Sequence, residues 1–339
     1  MTSASTVTIR AYTDDDEGRV LDLLRRSLGE GPSGARTSAF FRWKHLENPF
    51  GRSLMLVGEE GGQLLGLRAF MRWRLESGAH QLRAARAVDT ATAPEARGRG
   101  VFSRLTSEAL AQLALDTDLI FNTPNEQSLP GYLKLGWQIV GAVPVRIGVR
   151  RPVSFLRGVR TVSDLTATPR RAKPTVSAAP AGELIASLGS LDHLAPPAAD
   201  RLHTPRSADY LRWRYAETSG LNYRAVASHA DGRVNGVAVF RVRPRGRLWE
   251  ATVAEVMTAA DADPRVARRL LREIACASGA DHVASSFPSG TAAAKAAHRR
   301  SLSAPKGMTL TVRPLHDDMQ ADAHGLNGWG LTLGDLEVF

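Results

Sequence analysis

The stretch from Val88 to Trp137 constrains the fold of this 339-residue chain more than any other. An alternating run ends at Pro94, and a basic, glycine-rich turn comes next, Arg97-Gly98-Arg99-Gly100. An apolar periodicity begins at once, with Phe102, Leu105, Ala109 and Leu113 on one helical face. The reading is strand, loop, helix, with the glycines at the helix start. Glycine lets successive backbone N–H groups converge on one concavity, and the helix N-terminus adds partial positive charge. Such a turn suits a phosphate. A plain glycine turn with solvated arginines explains the same four residues, so the turn alone does not decide.

The residues beyond the helix strengthen the phosphate reading. Leu119–Thr123 reads as a second short strand, and after it come Asn125, Ser128, Tyr132, Gly136 and Trp137. This combination resembles the GNAT acyltransferases (GCN5-related N-acetyltransferases). Their pattern runs from a strand ending near Val-x-Pro through Arg-Gly-x-Gly, a helix and a strand to Asn-x-x-Ala-x-x-x-Tyr-x-x-x-Gly-Phe. Here Thr92-Ala93-Pro94 stands for Val-x-Pro, Ser128 for Ala and Trp137 for Phe. Arg97 and Gly100 match the family fingerprint Gln/Arg-x-x-Gly-x-Gly/Ala, and Phe102 departs from its last place.

The rest of the first half agrees with a layered fold. Val7–Tyr12 alternates as a strand, Asp14, Asp15 and Asp16 supply N-terminal acids for a helix, and Val20, Leu21, Leu23, Leu24 and Leu28 give that helix an apolar face. Ser53–Glu59, Leu64–Arg74 and His80–Thr92 read as strands. The order predicts an α/β fold on a mixed sheet.

The second half repeats the first. Ser207–Tyr215 (SADYLRWRY) matches Thr37–His45 (TSAFFRWKH) at an offset of 170, placing Arg42-Trp43 on Arg212-Trp213. Gly66 falls on Gly236 at the same offset, and Glu255 falls near Asp89. Where a phosphate loop would come, the sequence is Ala259-Ala260-Asp261-Ala262-Asp263-Pro264-Arg265, acidic and without glycine. Two tandem GNAT-like domains are therefore expected, the second degenerate. The first is 1–150, a Pro/Arg/Ala-rich linker is 151–180, and the second is 181–339. The matched tryptophans read as core anchors, and the tail Gly328–Phe339 as a final strand returning between the halves.

Composition narrows the function classes. The net charge is +10, but the arginines are spread over the chain, with no basic stripe carrying aromatic platforms. No nucleic-acid partner is expected; the charge instead favours anionic ligands such as coenzyme A. No apolar run of membrane length and no signal-like segment is visible, and one cysteine, Cys276, suits a reducing cytoplasm. No Cys/His cluster has zinc spacing, so no metal is expected. No serine nucleophile motif is visible, which favours direct transfer.

The resemblance implies an N-acyltransferase using acetyl-CoA or another acyl-CoA. The acceptor would be a primary amine on a small molecule, such as an amino sugar or an amino-acid-derived natural product. By resemblance, the backbone of Ala91, Thr92 and Ala93 meets the pantetheine arm. Arg97, Gly98, Arg99, Gly100, Val101 and Phe102 hold the pyrophosphate, Asn125 bonds the arm, and Tyr132 is the general acid. Asp89 is the only carboxylate on the strand entering the loop. It is the candidate base, and equally a structural hydrogen-bond acceptor. His45 and Glu255 are substrate-side candidates. Two other readings keep the fold: a Fem-like transferase using aminoacyl-tRNA, and a non-catalytic acyl-CoA-binding protein. Oligomeric state is not legible.

Overall fold

In the computed structural model, residues 7–29, 36–164, 166–196, 198–216, 220–299, 301–316 and 321–336 are described. Strand β1 (Thr8–Ala11) leads through a 3-10 turn, Asp14–Asp16, into α1 (Glu17–Leu28). The buried Asp16 carboxylate ties this entry together, accepting from the Thr13 amide and from Arg10 and Arg19. Helix α2 (Ser38–His45) is capped by Thr37, whose side chain accepts from the Phe40 amide. The strands β2 (Leu54–Glu60), β3 (Gln63–Ser77) and β4 (His80–Thr92) form an antiparallel meander. Next come α3 (Val101–Leu113), β5 (Leu119–Asn122), α4 (Leu129–Lys134) and β6 (Gln138–Val143).

Beyond β6 the chain crosses over. Strand β7 (Arg146–Val149) leaves the first sheet and is followed by α5 (Pro152–Gly158), β8 (Ala179–Pro180), α6 (Ala181–Ser187) and β9 (Leu194–Ala195). The repeat then runs α7 (Ala208–Tyr215), β10 (Arg224–Ala230), β11 (Arg233–Arg245), β12 (Leu248–Ala259) and α8 (Arg265–Ala277). It closes with β13 (His282–Ser285), α9 (Ala292–His298), β14 (Leu302–Ser303), β15 (Met308–Pro314) and α10 (Leu333–Leu336).

The two sheets have the same plan. The first is ordered β1-β2-β3-β4-β5-β15-β6 and the second β8-β10-β11-β12-β13-β7-β14. In each, one central pair is parallel, β4 with β5 and β12 with β13. In each, the strand between the last two comes from the other half: β15 pairs with β5 and β6, and β7 pairs with β13 and β14. The expected cut at residue 150 therefore does not follow the sheets, because the hydrogen-bond ladders exchange strands across it. The expected linker is also packed. Strand β8 forms an edge on β10, Arg171 pairs with Asp281, and the Trp249 indole donates to the Arg171 carbonyl.

The repeated tryptophans lie where the halves meet. The indoles of Trp43 and Trp213 stack with centroids 5.0 Å apart, and each donates its N–H to the other's carbonyl, at 2.7 and 2.8 Å. The arrangement is a local two-fold made by one chain. Trp73 donates to Thr204, Phe50 stacks on Tyr210, and the Glu76 and His203 backbones pair in both directions. One apolar cluster thus spans both halves.

A chain ending near residue 150 lacks β15, so β5 and β6 would each present an unpaired edge and Trp43 would be exposed. Circular dichroism of that fragment is expected to show no cooperative melt. A sharp transition with the intact mixed spectrum would contradict the exchanged-strand account.

Candidate active site

The site is built where β4 leaves its neighbour. Strand β4 pairs with β5 only at Ala84–Arg86, then continues alone on that side to Thr92. This opens a wedge between the two strands. On the other side, β4 stays on β3 through a bulge, where Asp89 and Thr90 oppose the single residue Arg68. Asp89 carries φ 38°, a backbone state a side-chain-bearing residue adopts only under tertiary constraint. The Ala93 amide donates to the Leu65 carbonyl, so it is committed to β3. Strand alternation turns the backbone of Thr92 toward the open wedge.

After β4, a 3-10 turn at Pro94–Ala96 delivers the chain to the glycines. Gly98 and Gly100 have φ 77° and 73°, with open space where a side chain would stand. Gly100 caps α3 without a side-chain hydrogen bond, leaving the first amides of a thirteen-residue helix available to an anion. The two loop arginines differ. Arg99 is committed to Glu60 through two hydrogen bonds, 2.7 and 2.9 Å, whereas no carboxylate of the described residues pairs with Arg97.

Across the wedge, the Asn125 side-chain oxygen accepts from both the amide and the hydroxyl of Ser128, each at 2.9 Å. Asn125 thereby fixes the turn that precedes α4 and keeps its amide N–H groups for another partner. The Tyr132 ring is buried, edge-on to Phe102 and Trp137, and its hydroxyl accepts from Arg68 Nη1 at 3.1 Å. Sequence reading missed Arg68. It lies in an apolar strand with no motif around it, and only the bulge brings it to Tyr132.

The comparisons with known proteins agree with this geometry. Residues 8–140 match the acetyltransferase (GNAT) domain. No curated protein matches the chain. Among solved structures, a probable N-acyltransferase of unknown function from Enterococcus faecalis V583 is similar at TM-score 0.61 and 15% identity, over 92% of this chain and 73% of that one. A GCN5-related N-acetyltransferase from Anabaena variabilis ATCC 29413 is similar at TM-score 0.59 and 14% identity, over 92% and 73%. Eis1 from Mycobacterium abscessus is similar at TM-score 0.58 and 15% identity, over 94% and 76%. At this identity they show a shared fold over more than nine tenths of the chain.

Within residues 8–140, the expected base does not fit its surroundings. Asp89 accepts from Lys44 Nζ at 2.6 Å, His45 Nε2 at 2.9 Å and Arg36 at 3.4 Å. Burial alone would raise its carboxyl, but the Lys44 ammonium and the His45 N–H outweigh burial and hold it well below the usual carboxylate range. A general base needs a proton affinity near the working pH. Burial pulls Lys44 and His45 down in turn, and His45, fully buried and bonded also to Ser53, has no surface to offer a substrate.

The second half repeats this cluster in part, with Arg214 donating to the Gly334 carbonyl rather than to the carboxylate. At the same offset of 170, Arg36, Lys44 and His45 become Arg206, Arg214 and Tyr215, and Glu255 takes the place of Asp89. Glu255 accepts from Arg206 at 3.0 Å and from the Tyr215 hydroxyl at 2.7 Å; it is fully buried, which raises its carboxyl. It therefore cannot touch an acceptor in this structure. The tail completes this second cluster, and it does so as the short helix α10 rather than as the expected strand. Asp335 bonds Arg206, and Gly334 lies so close that a Cβ would collide with Tyr215, Glu255 and the Ala254 carbonyl. Glu337 lies outside the described residues. Among the described residues, no group of His, Cys, Asp and Glu could hold a metal, and no helix is long and apolar enough to cross a membrane.

Two substitutions separate binding from support. Gly100→Asp adds a side chain at positive φ and a negative charge at the α3 N-terminus. Calorimetry should show coenzyme affinity falling by at least about tenfold, the effect of more than ~1.4 kcal/mol. Asp89→Asn leaves Lys44 buried without its counter-charge and should cost about 3–5 kcal/mol of stability, measured by urea unfolding. Unchanged stability with lost turnover would return Asp89 to the role of base.

Proposed function

We propose that the chain is an acyl-CoA-dependent N-acyltransferase, most simply an N-acetyltransferase, acting on a primary amine of a small molecule by direct transfer. One juxtaposition carries this reading: an uncapped helix N-terminus with two open glycines, an unpaired strand edge and a tyrosine hydroxyl border one wedge. Acyl transfer needs these parts, namely an anion cradle for the pyrophosphate, backbone groups for the arm and thioester, and a proton donor for the leaving thiolate. Gly98–Phe102 with Arg97 would hold the pyrophosphate. Thr92 and Asn125 would bond the arm, and Arg99 would act through Glu60 to fix the loop. Tyr132 would protonate the sulfur as it leaves. With Asp89 locked in its ion cluster, the amine proton would leave through water.

We infer that the second half is a copy that has lost its coenzyme site. It keeps the strand order and the buried cluster. At the start of α8, however, the Asp263 carboxylate accepts the Arg265 amide at 2.7 Å, occupying the position a phosphate would take. The second half would instead supply a wall of the acceptor pocket, since interfaces between domains favour small-molecule sites. The whole-chain fold and the family match of the first half support this reading.

Full-length protein assayed with acetyl-CoA against a panel of primary amines should release free thiol with at least one of them. Tyr132→Phe should lower kcat by roughly 10²–10⁴-fold while coenzyme binding stays level. Near-normal kcat in that variant would reduce Tyr132 to packing, and silence across the panel with intact coenzyme binding would favour a binding protein.

A further inference from the structure

Arg68 is fully buried, and no carboxylate of the described residues pairs with it. One of its nitrogens, Nη1, donates to Tyr132 at 3.1 Å and to the Thr90 hydroxyl. Its Nε and Nη2 have no hydrogen-bond partner among the described residues. Aromatic faces surround the guanidinium: Phe70 at 4.3 Å, Tyr132 at 5.2 Å and Phe102 at 5.5 Å. An unpaired buried cation is costly, and cation–π contacts offset only part of that cost. The position calls for an explanation other than stability.

The chain contains its own control. On the offset of 170 that places Gly66 on Gly236, Arg68 falls on Ala238, which is buried and uncharged in the same strand of the second sheet. Helix α9, which follows β13 as α4 follows β5, has no tyrosine. The fold is thus built in the second half without either residue. By contrast, a carboxylate bonded to an arginine at the bulge is present in both halves, Asp89 with Arg36 and Glu255 with Arg206. Arg68 and Tyr132 occur together, and only beside the glycine turn.

We propose that Arg68 is the positioning residue for Tyr132. The proposal rests on the acyltransferase reading and deepens it. Because Nη1 donates to the phenol oxygen, the phenol's own proton is directed away from Arg68 and toward the wedge. As the amine nitrogen bonds to the thioester carbon and the carbon–sulfur bond breaks, the departing thiolate takes that proton. The phenolate left behind sits beside a guanidinium in surroundings of low dielectric, where the attraction is strong. The proton lost by the amine nitrogen returns to the phenolate through water, so the phenol is restored.

The test uses the full chain with Arg68→Met, Arg68→Lys, Tyr132→Phe and the double variant R68M/Y132F. R68M should lower kcat by at least about tenfold, with R68K recovering most of it. KM and Kd for acetyl-CoA should stay level. In the Tyr132→Phe background, adding R68M should change kcat by less than about twofold, because the two residues act as one unit. R68M should melt no lower than the unaltered protein, since an unpaired charge has been removed. A lower melting temperature with normal kcat would make Arg68 a packing residue, and a Kd raised as much as kcat falls would make it a coenzyme ligand. Normal kcat in R68M beside a slow Y132F overturns only this proposal, whereas normal kcat in Y132F overturns the general-acid reading as well. If no amine is acetylated, ultraviolet resonance Raman decides. The tyrosine hydrogen-bonding signature that Y132F lacks should shift in R68M, where the Nη1 donor is gone, and an unmoved signature overturns the proposal.

Discussion

Each sheet of this protein is completed by a strand from the other half. Strand β15 fills the slot between β5 and β6, and β7 fills the slot between β13 and β14. A slot inside a sheet has unpaired donors and acceptors on both sides, so neither half satisfies its own backbone alone. The reciprocal Trp43–Trp213 pair lies on the same local two-fold, and its two indole N–H groups have no solvent alternative once buried. Stability of the half with the glycine turn is therefore inseparable from the presence of the second half, whatever either contributes to chemistry.

The two halves can also be compared in their buried charges. Arg36, Lys44, His45 and Asp89 in one half, and Arg206, Tyr215 and Glu255 in the other, are hydrogen-bonded clusters at the strand bulge, whereas Arg214, at the place of Lys44, donates to the Gly334 carbonyl. A buried carboxylate at the bulge is thus present both with the glycine turn and without it. In the second half the tail adds Asp335, placing two carboxylates on Arg206. Burial raises Glu255, whereas for Asp335 the Arg206 charge and the Thr332 amide outweigh burial and lower it. The guanidinium resolves the crowding of two acids by favouring the ionised form of one.

Where the copies differ, the difference lies at the wedge. The first has positive-φ glycines and a free helix N-terminus; the second has Asp263 taking up an amide at the corresponding place. A carboxylate in that position satisfies the partial positive charge of the helix N-terminus. The contrast between Arg68 and Ala238 is of the same kind.

Local pattern determined much of this by itself. Strand β4 was readable to its ends, and the glycine turn, the start of α3 and the position of Tyr132 follow from spacing, because backbone conformation and helical periodicity are properties of short segments. The repeat was readable through Arg-Trp at equal offset, which placed the tryptophans as anchors. The tertiary structure decided the rest. Exchange of β7 and β15 is a pairing between residues far apart in the chain, and either strand reads the same in its own half or the other. The tail reads as a strand by alternation, yet it is the helix α10, because Gly334 and Asp335 meet the buried cluster of the second half. Asp89, His45 and Glu255 have the chemistry of site residues, but only the fold shows the burial and the charged neighbours that other elements bring to them. The importance of Arg68 was invisible for the same reason: a lone arginine in an apolar strand acquires meaning only from the bulge opposite it and the hydroxyl it reaches.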